Sequence, residues 1–242
     1  KVGSVNGSPG TYSLANTYGV GSKKKGEEYN FDLKTNIGTS RHESLKTFLR
    51  EVNRPDLSKE AYEALMDVDE LARMQAINFA VGNQDDMRIN YNNHYIYFRK
   101  SDGKAVIIPY DNEIVLGITH VLTENATNLT EQSPYFEYNS RYDSMQAVPM
   151  LRQTVLSGGY FTGLYTDYLR EIAESEWITE EHYRPYFDRA KARYGDKLIS
   201  PYSFFSTMNK NLSFSMEGGE NGNMSIGDFF EKMKRNILSG ID

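Results

Sequence analysis

The strongest local instruction in this chain is the Asp102-Gly103 pair. It sits between two short apolar runs, residues 93–99 (Asn-His-Tyr-Ile-Tyr-Phe-Arg) and residues 105–108 (Ala-Val-Ile-Ile). Asp-Gly between alternating or β-branched runs specifies a tight turn, so a β-hairpin is predicted over residues 93–109, with Pro109 stopping the return strand. The two free ends of that hairpin lie side by side, and each carries a carboxylate- and amide-rich cluster. Before it comes Asn83-Gln84-Asp85-Asp86-Met87-Arg88-Ile89-Asn90. After it comes Tyr110-Asp111-Asn112-Glu113. The hairpin is therefore expected to bring Asp111 back toward Asp85.

Helical periodicity surrounds the hairpin. A helix is predicted from a Ser40 cap to about Val52, with Leu45, Phe48 and Leu49 on one face. Pro55 ends that segment, and Ser58 caps a second helix through Met66. Asp69 is expected to cap a third, in which Leu71, Met74, Ile77, Asn78 and Val81 recur at helical spacing and Gly82 supplies the stop. Further helices are expected near 148–156, 160–174, 179–194 and 225–239, and residues 118–147 read as a long polar excursion. Residues 1–30 are glycine-rich, with a plausible strand over 29–34. The fold class is α+β, mainly helical, with one central hairpin.

Composition narrows the function. The net charge is −6 with no basic stripe beyond Lys23-Lys24-Lys25, which argues against nucleic acid as a partner. There is no cysteine, which removes thiol catalysis and cysteine zinc sites. No run is long enough for a membrane span. The opening Lys1-Val2-Gly3, without Met or an apolar leader, reads as an excerpt of a longer or processed protein. The four histidines are isolated, and no HExxH motif, P-loop or GxSxG motif occurs.

The two acidic clusters carry the chemistry. Asp85 and Asn90 stand five apart, the spacing at which a phosphotransferase loop sets an Asp to orient the attacking hydroxyl and accept its proton, and an Asn to help hold metal. The competing reading is a set of Asx turns that cap backbone groups. Hard oxygen donors on both ends of one hairpin suit Mg²⁺ or Mn²⁺ with phosphate oxygens and water, which favours a site over turns alone. A two-metal phosphohydrolase would draw on Asp85, Asp86, Asp111 and Glu113.

Taken together, Phe31-Asp32-Leu33-Lys34-Thr35-Asn36, Met66-Asp67-Val68-Asp69-Glu70-Leu71, Gly82-Asn83-Gln84-Asp85, Asn93-His94-Tyr95-Ile96-Tyr97 and Ile108-Pro109-Tyr110-Asp111-Asn112-Glu113 with Gly117 resemble the motifs of the spore-coat protein H (CotH) kinases, which have an atypical protein-kinase-like fold. The resemblance implies a kinase-like C-terminal lobe over residues 39–242 and a remnant of the N-terminal lobe over 1–38. It implies Mg²⁺- or Mn²⁺-dependent transfer of phosphate from ATP to a protein Ser or Thr, with Asp85 as catalytic Asp and Asp111 as metal ligand. Glu113 stands where that family carries a second Asp. Asn90 keeps the five-residue spacing and Asn93 aligns with the family motif, so either could complete the metal site. The family's nucleotide-facing lysine falls where this chain has Gly10-Thr11-Tyr12-Ser13-Leu14; Lys34 is a substitute candidate for nucleotide binding. An extracytoplasmic place, on the bacterial cell surface, secreted or in the spore coat, follows from the resemblance as well. The alternative is a non-catalytic structural or binding module of a surface protein that has lost nucleotide binding.

Overall fold

The computed structural model describes residues 33–36, 38–40, 42–88, 93–112, 115–117, 128–136, 149–195, 216–217 and 224–242. Among the described residues the architecture is mixed α/β and mainly helical, with one small antiparallel sheet. The helices are α1 (Glu43–Val52), α2 (Lys59–Leu65), α3 (Val68–Ala80), α4 (Pro149–Thr154), α5 (Thr162–Glu174), α6 (Glu180–Tyr194) and α7 (Ile226–Ile241), with a 3₁₀ turn at Leu129–Glu131. The hairpin strands are β1 (His94–Phe98) and β2 (Ala105–Pro109). The predicted strand over 29–34 and the glycine and lysine positions upstream lie largely outside the described residues. Among the described residues no helix is long and apolar enough to cross a membrane.

Helix α3 is the centre of the molecule. It packs against α5, α4, α7 and β2, and Leu71, Ala72, Ala76, Phe79 and Ala80 are almost fully buried on it. The alanines let α5 approach closely, and burial on most sides explains why apolar residues run around much of the helix. Two expectations for α3 need correction. Its cap is Asp67, whose Oδ1 accepts the Glu70 N–H at 3.3 Å, while Asp69 sits in the first turn. Ile77 is exposed, because it stands one turn beyond the solvent-facing Arg73.

The other helix starts follow side-chain chemistry. Ser58 accepts the Ala61 N–H at 3.2 Å, as its position predicts, Thr179 caps α6 through His182, and Ser225 caps α7 through Asp228. Ser40 does not cap α1. Its hydroxyl accepts the N–H of His42, and His42 itself takes the cap position at φ 61°, so the helix opens two residues later than expected.

The hairpin is pinned to α3 at its turn. Arg99 Nη1 donates to Asp67 Oδ2 at 2.7 Å, and the Asp67 N–H donates to the Ala105 carbonyl at 2.9 Å. The carboxylate that caps α3 therefore also holds the hairpin. In the ladder, Ile96 faces Ile107 and Phe98 faces Ala105 on the core side, while Tyr95 opposes Ile108 and Tyr97 opposes Val106 on the outer side.

Candidate active site

Helix α3 ends in a left-handed stop that aims the chain at the site. Gly82 has φ +67°, the Asn83 N–H reaches the Asn78 carbonyl and the Gly82 N–H reaches the Phe79 carbonyl, each at 2.9 Å. This doubly closed C-terminus requires a residue that tolerates positive φ, and glycine does so without strain. The chain then leaves as a polar loop whose side chains are assigned one by one.

Asn83 is almost fully buried, and it ties the two sides of the site together. Its Oδ1 accepts the Asp85 N–H at 3.0 Å, and its Nδ2 donates to Asn112 Oδ1 at 2.7 Å. Asp85 is half-buried and keeps its carboxylate toward the hairpin, where Oδ2 accepts from Asn93 Nδ2 at 2.8 Å. The same Asn93 amide lies 3.4 Å from the Asp111 carbonyl. One buried amide thus bridges the loop before the hairpin and the loop after it. The Tyr110 N–H closes the ladder onto the Asn93 carbonyl at 2.9 Å. Asn93 and Asp111 both have positive φ, 52° and 60°, a conformation that Asn and Asp tolerate better than other non-glycine residues. Asp111 and Asn112 are exposed at the rim.

Adjacent carboxylates take opposite directions here. Asp86 is buried; its Oδ1 accepts the Arg88 N–H at 2.8 Å and its Oδ2 accepts Asn78 Nδ2 at 3.3 Å. It holds the loop rather than facing the rim, which removes one of the carboxylates a two-metal phosphohydrolase would need. Behind it, Arg88 is buried among Phe79, Phe136 and Tyr165, with its guanidinium carbon 5.2, 5.9 and 5.5 Å from the three ring centres. Arg88 Nη2 donates to the Tyr165 hydroxyl at 2.9 Å, and that hydroxyl donates to the Pro134 carbonyl at 2.9 Å. A caged cation anchors the far end of the loop to α5.

On the rim, the Tyr110 ring meets Tyr95 edge-on at 4.9 Å. The neighbouring Tyr95 phenol, followed by the Asp111 carboxylate, pushes the Tyr110 hydroxyl above its ordinary titration range, while the positive charge of Lys34 acts in the opposite direction. Lys34 is exposed and close enough to this rim to be felt there.

The structure therefore brings together Asp85, Asn93 and Asp111 at the open end of the hairpin, with Lys34 near its outer rim. Asn90 and Glu113 lie outside the described residues. Among the described residues no group of three or more His, Asp or Glu side chains is placed to hold a metal together. The oxygen donors on these adjoining segments are the Asp85 carboxylate, the exposed Asp111 and the side-chain Oδ1 of Asn93, whose NH₂ is already engaged. Sequence reasoning passed over Asn83, Asn112 and Arg88 as agents; the clustering of amides with carboxylates on both sides of the hairpin was the available signal for the first two.

A search of curated proteins found no match. A family model described as CotH kinase protein matches residues 8–206, most of the chain and all of the loop-hairpin-loop unit. On that match, the chain belongs to the CotH kinase family.

Proposed function

We propose that this chain transfers the terminal phosphoryl group of ATP to a Ser or Thr hydroxyl of a protein, with Asp85 as the group that orients the acceptor and takes its proton. The observation that supports this most is the Asn93 amide that joins Asp85 to the Asp111 segment. It ties the half-buried Asp85 carboxylate to the backbone of the exposed Asp111, so the residues proposed for the two roles such a transfer needs lie on adjoining segments. In the step, the acceptor oxygen forms a bond to phosphorus as the bond from phosphorus to the ADP oxygen breaks. The hydroxyl proton passes to the Asp85 carboxylate.

A divalent cation, Mg²⁺ or Mn²⁺, would neutralise charge on the phosphates when bound, and the oxygen-only donor set fits such hard ions. Asp111 is the proposed ligand from this end of the hairpin, with the Asn93 carbonyl oxygen beside it; Asn90 and Glu113 are the further candidates. Asn93 is favoured over Asn90 as the residue that organises the site, because its amide already fixes Asp85. Lys34 is proposed to contact the nucleotide from the Tyr110 side. The acceptor is proposed to be a surface or spore-coat protein, as the family suggests.

The test is phosphate transfer from labelled ATP with Mg²⁺, together with calorimetric titration of Mg-ATP, on the wild type and on Asp85→Ala and Asp111→Ala. Asp85→Ala is expected to abolish transfer while Mg-ATP still binds. Asp111→Ala is expected to lose both. Transfer unchanged in both variants would overturn the assignment, and a wild type that binds no Mg-ATP would support a non-catalytic surface module instead.

A further inference from the structure

The family match ends at residue 206, yet helix α7, beyond it, reaches the site. Its Phe229 is buried against both arms. A methyl group added at Gly82, directly before Asn83, would lie 2.8 Å from the Phe229 ring. One added at Gly117, just past the Asp111 arm, would lie 3.4 Å from Phe229 and 3.0 Å from Met224. Both glycines have positive φ, so each arm turns sharply where it meets this ring. The arms are also joined by backbone: the Leu116 N–H donates to the Val81 carbonyl at 2.7 Å, and the Met224 N–H, at the lead-in to α7, reaches the Gly117 carbonyl at 3.3 Å. The next residue, Phe230, is equally buried but faces elsewhere, its ring 6.0 Å from that of Tyr183 on α6.

We propose that Phe229 is a positioning residue of the site: a wedge from the C-terminal helix that fixes the spacing of the Asp85 and Asp111 arms. For catalysis the proposal rests on the phosphotransfer reading above; for the geometry it stands alone. Phe229 touches no reacting atom. It acts through Gly82 and Gly117, which have no side chain to maintain the spacing if the ring is removed.

The experiment compares Phe229→Leu with Phe230→Leu in the full chain. The two changes remove the same atoms from neighbouring buried positions. Amide hydrogen exchange is read at Leu116, whose N–H bonds to Val81, and at Asp85, whose N–H bonds to Asn83. Local loosening of the arms is expected to speed exchange at both amides at least about tenfold in Phe229→Leu, beyond the change in global stability, and to leave them near wild type in Phe230→Leu. Phosphate transfer should fall by a similar factor in kcat with a smaller change in KM, and Phe229→Met, which keeps most of the reach, should recover most of both. Equal exchange at these amides in the two leucine variants would overturn the proposal. If the wild type transfers no phosphate, the enzymatic reading fails while the exchange comparison still decides the wedge. Should Phe229→Leu not fold in buffer, the same leucine pair is compared in trimethylamine N-oxide, which strengthens global burial without restoring the ring.

Discussion

Tyr165→Phe isolates one atom of the anchor behind the site. The hydroxyl accepts from Arg88 Nη2 at 2.9 Å and donates to the Pro134 carbonyl at 2.9 Å, and both Tyr165 and Arg88 are buried. The ring, which packs edge-on against Tyr135 at 6.2 Å and lies beside the guanidinium, stays in place. Removing the hydroxyl leaves a buried guanidinium N–H without that acceptor, a loss of about 1.5 to 3 kcal/mol for a hydrogen bond to a charged group. The Pro134 carbonyl loses a neutral donor worth about 1 kcal/mol, though Arg88 Nη1 at 3.4 Å still reaches it. The expected loss of stability is therefore about 2 to 4 kcal/mol. Urea unfolding followed by far-ultraviolet circular dichroism measures it, with the slope against urea unchanged. A loss below about 0.5 kcal/mol, the usual range for an exposed position, would show that the cage does not hold Arg88 as described.

Three further outcomes follow from the fold. Gly82→Ala combines a left-handed backbone, about 1 to 2 kcal/mol, with overpacking against Phe229, about 1 to 3 kcal/mol, so urea titration should show a loss of about 2 to 5 kcal/mol. Asp67→Ala removes the α3 cap, about 1 kcal/mol, and the partly exposed Arg99 pair, a smaller contribution screened by salt; a salt titration should remove only the second part, and a loss wholly sensitive to salt would contradict the cap. At alkaline pH, burial pushes the Tyr62 phenol up to about 12. The folded chain then keeps a proton that the unfolded chain releases near pH 10, so this stabilisation is complete below about pH 10 and is lost as pH rises toward 12. Tyr165, raised in the same direction by burial, adds to the trend. The urea midpoint should fall above about pH 10, less steeply in Tyr62→Phe; a midpoint flat to about pH 11 would count against the burial argument.

The hairpin was legible because Asp102-Gly103 and the flanking runs act over a few residues, but its register was not: the Arg99 N–H closes on the Lys104 carbonyl around a four-residue connection, two residues longer than a two-residue Asp-Gly turn. The stop at Gly82 and the cap at Ser58 are equally local. The cap of α3 was misread because Asp67 and Asp69 are chemically equivalent in sequence, and only the extended backbone of Asp67 selects it. That Asp85 and Asp111 would approach was readable from the hairpin, but the Asn93 bridge depends on a positive φ and a side-chain direction that no spacing encodes. The Arg88 cage was hidden more deeply. Its partners Pro134 and Tyr165 are 46 and 77 residues away, and a buried arginine runs against the usual place of that residue at the surface.

Helix α3 and the hairpin are joined at both ends, through Asp67 with Arg99 and Ala105 at the turn and through Asn83 with Asn112 at the opening. This makes them two bars of matched length: 13 helical residues span about 20 Å, and each strand of five residues spans about 17 Å before the loops are added. A residue inserted in the helix adds about 1.5 Å and turns everything beyond it by about 100°. A residue inserted in a strand adds about 3.3 Å and reverses the faces. Neither change compensates the other, so insertions within α3 or within either strand should be disfavoured, and length variation should fall in the connections between elements. The frame works as a gauge block: the match between its two bars brings Asp85 and Asp111 level at the opening, where Asn93 joins them.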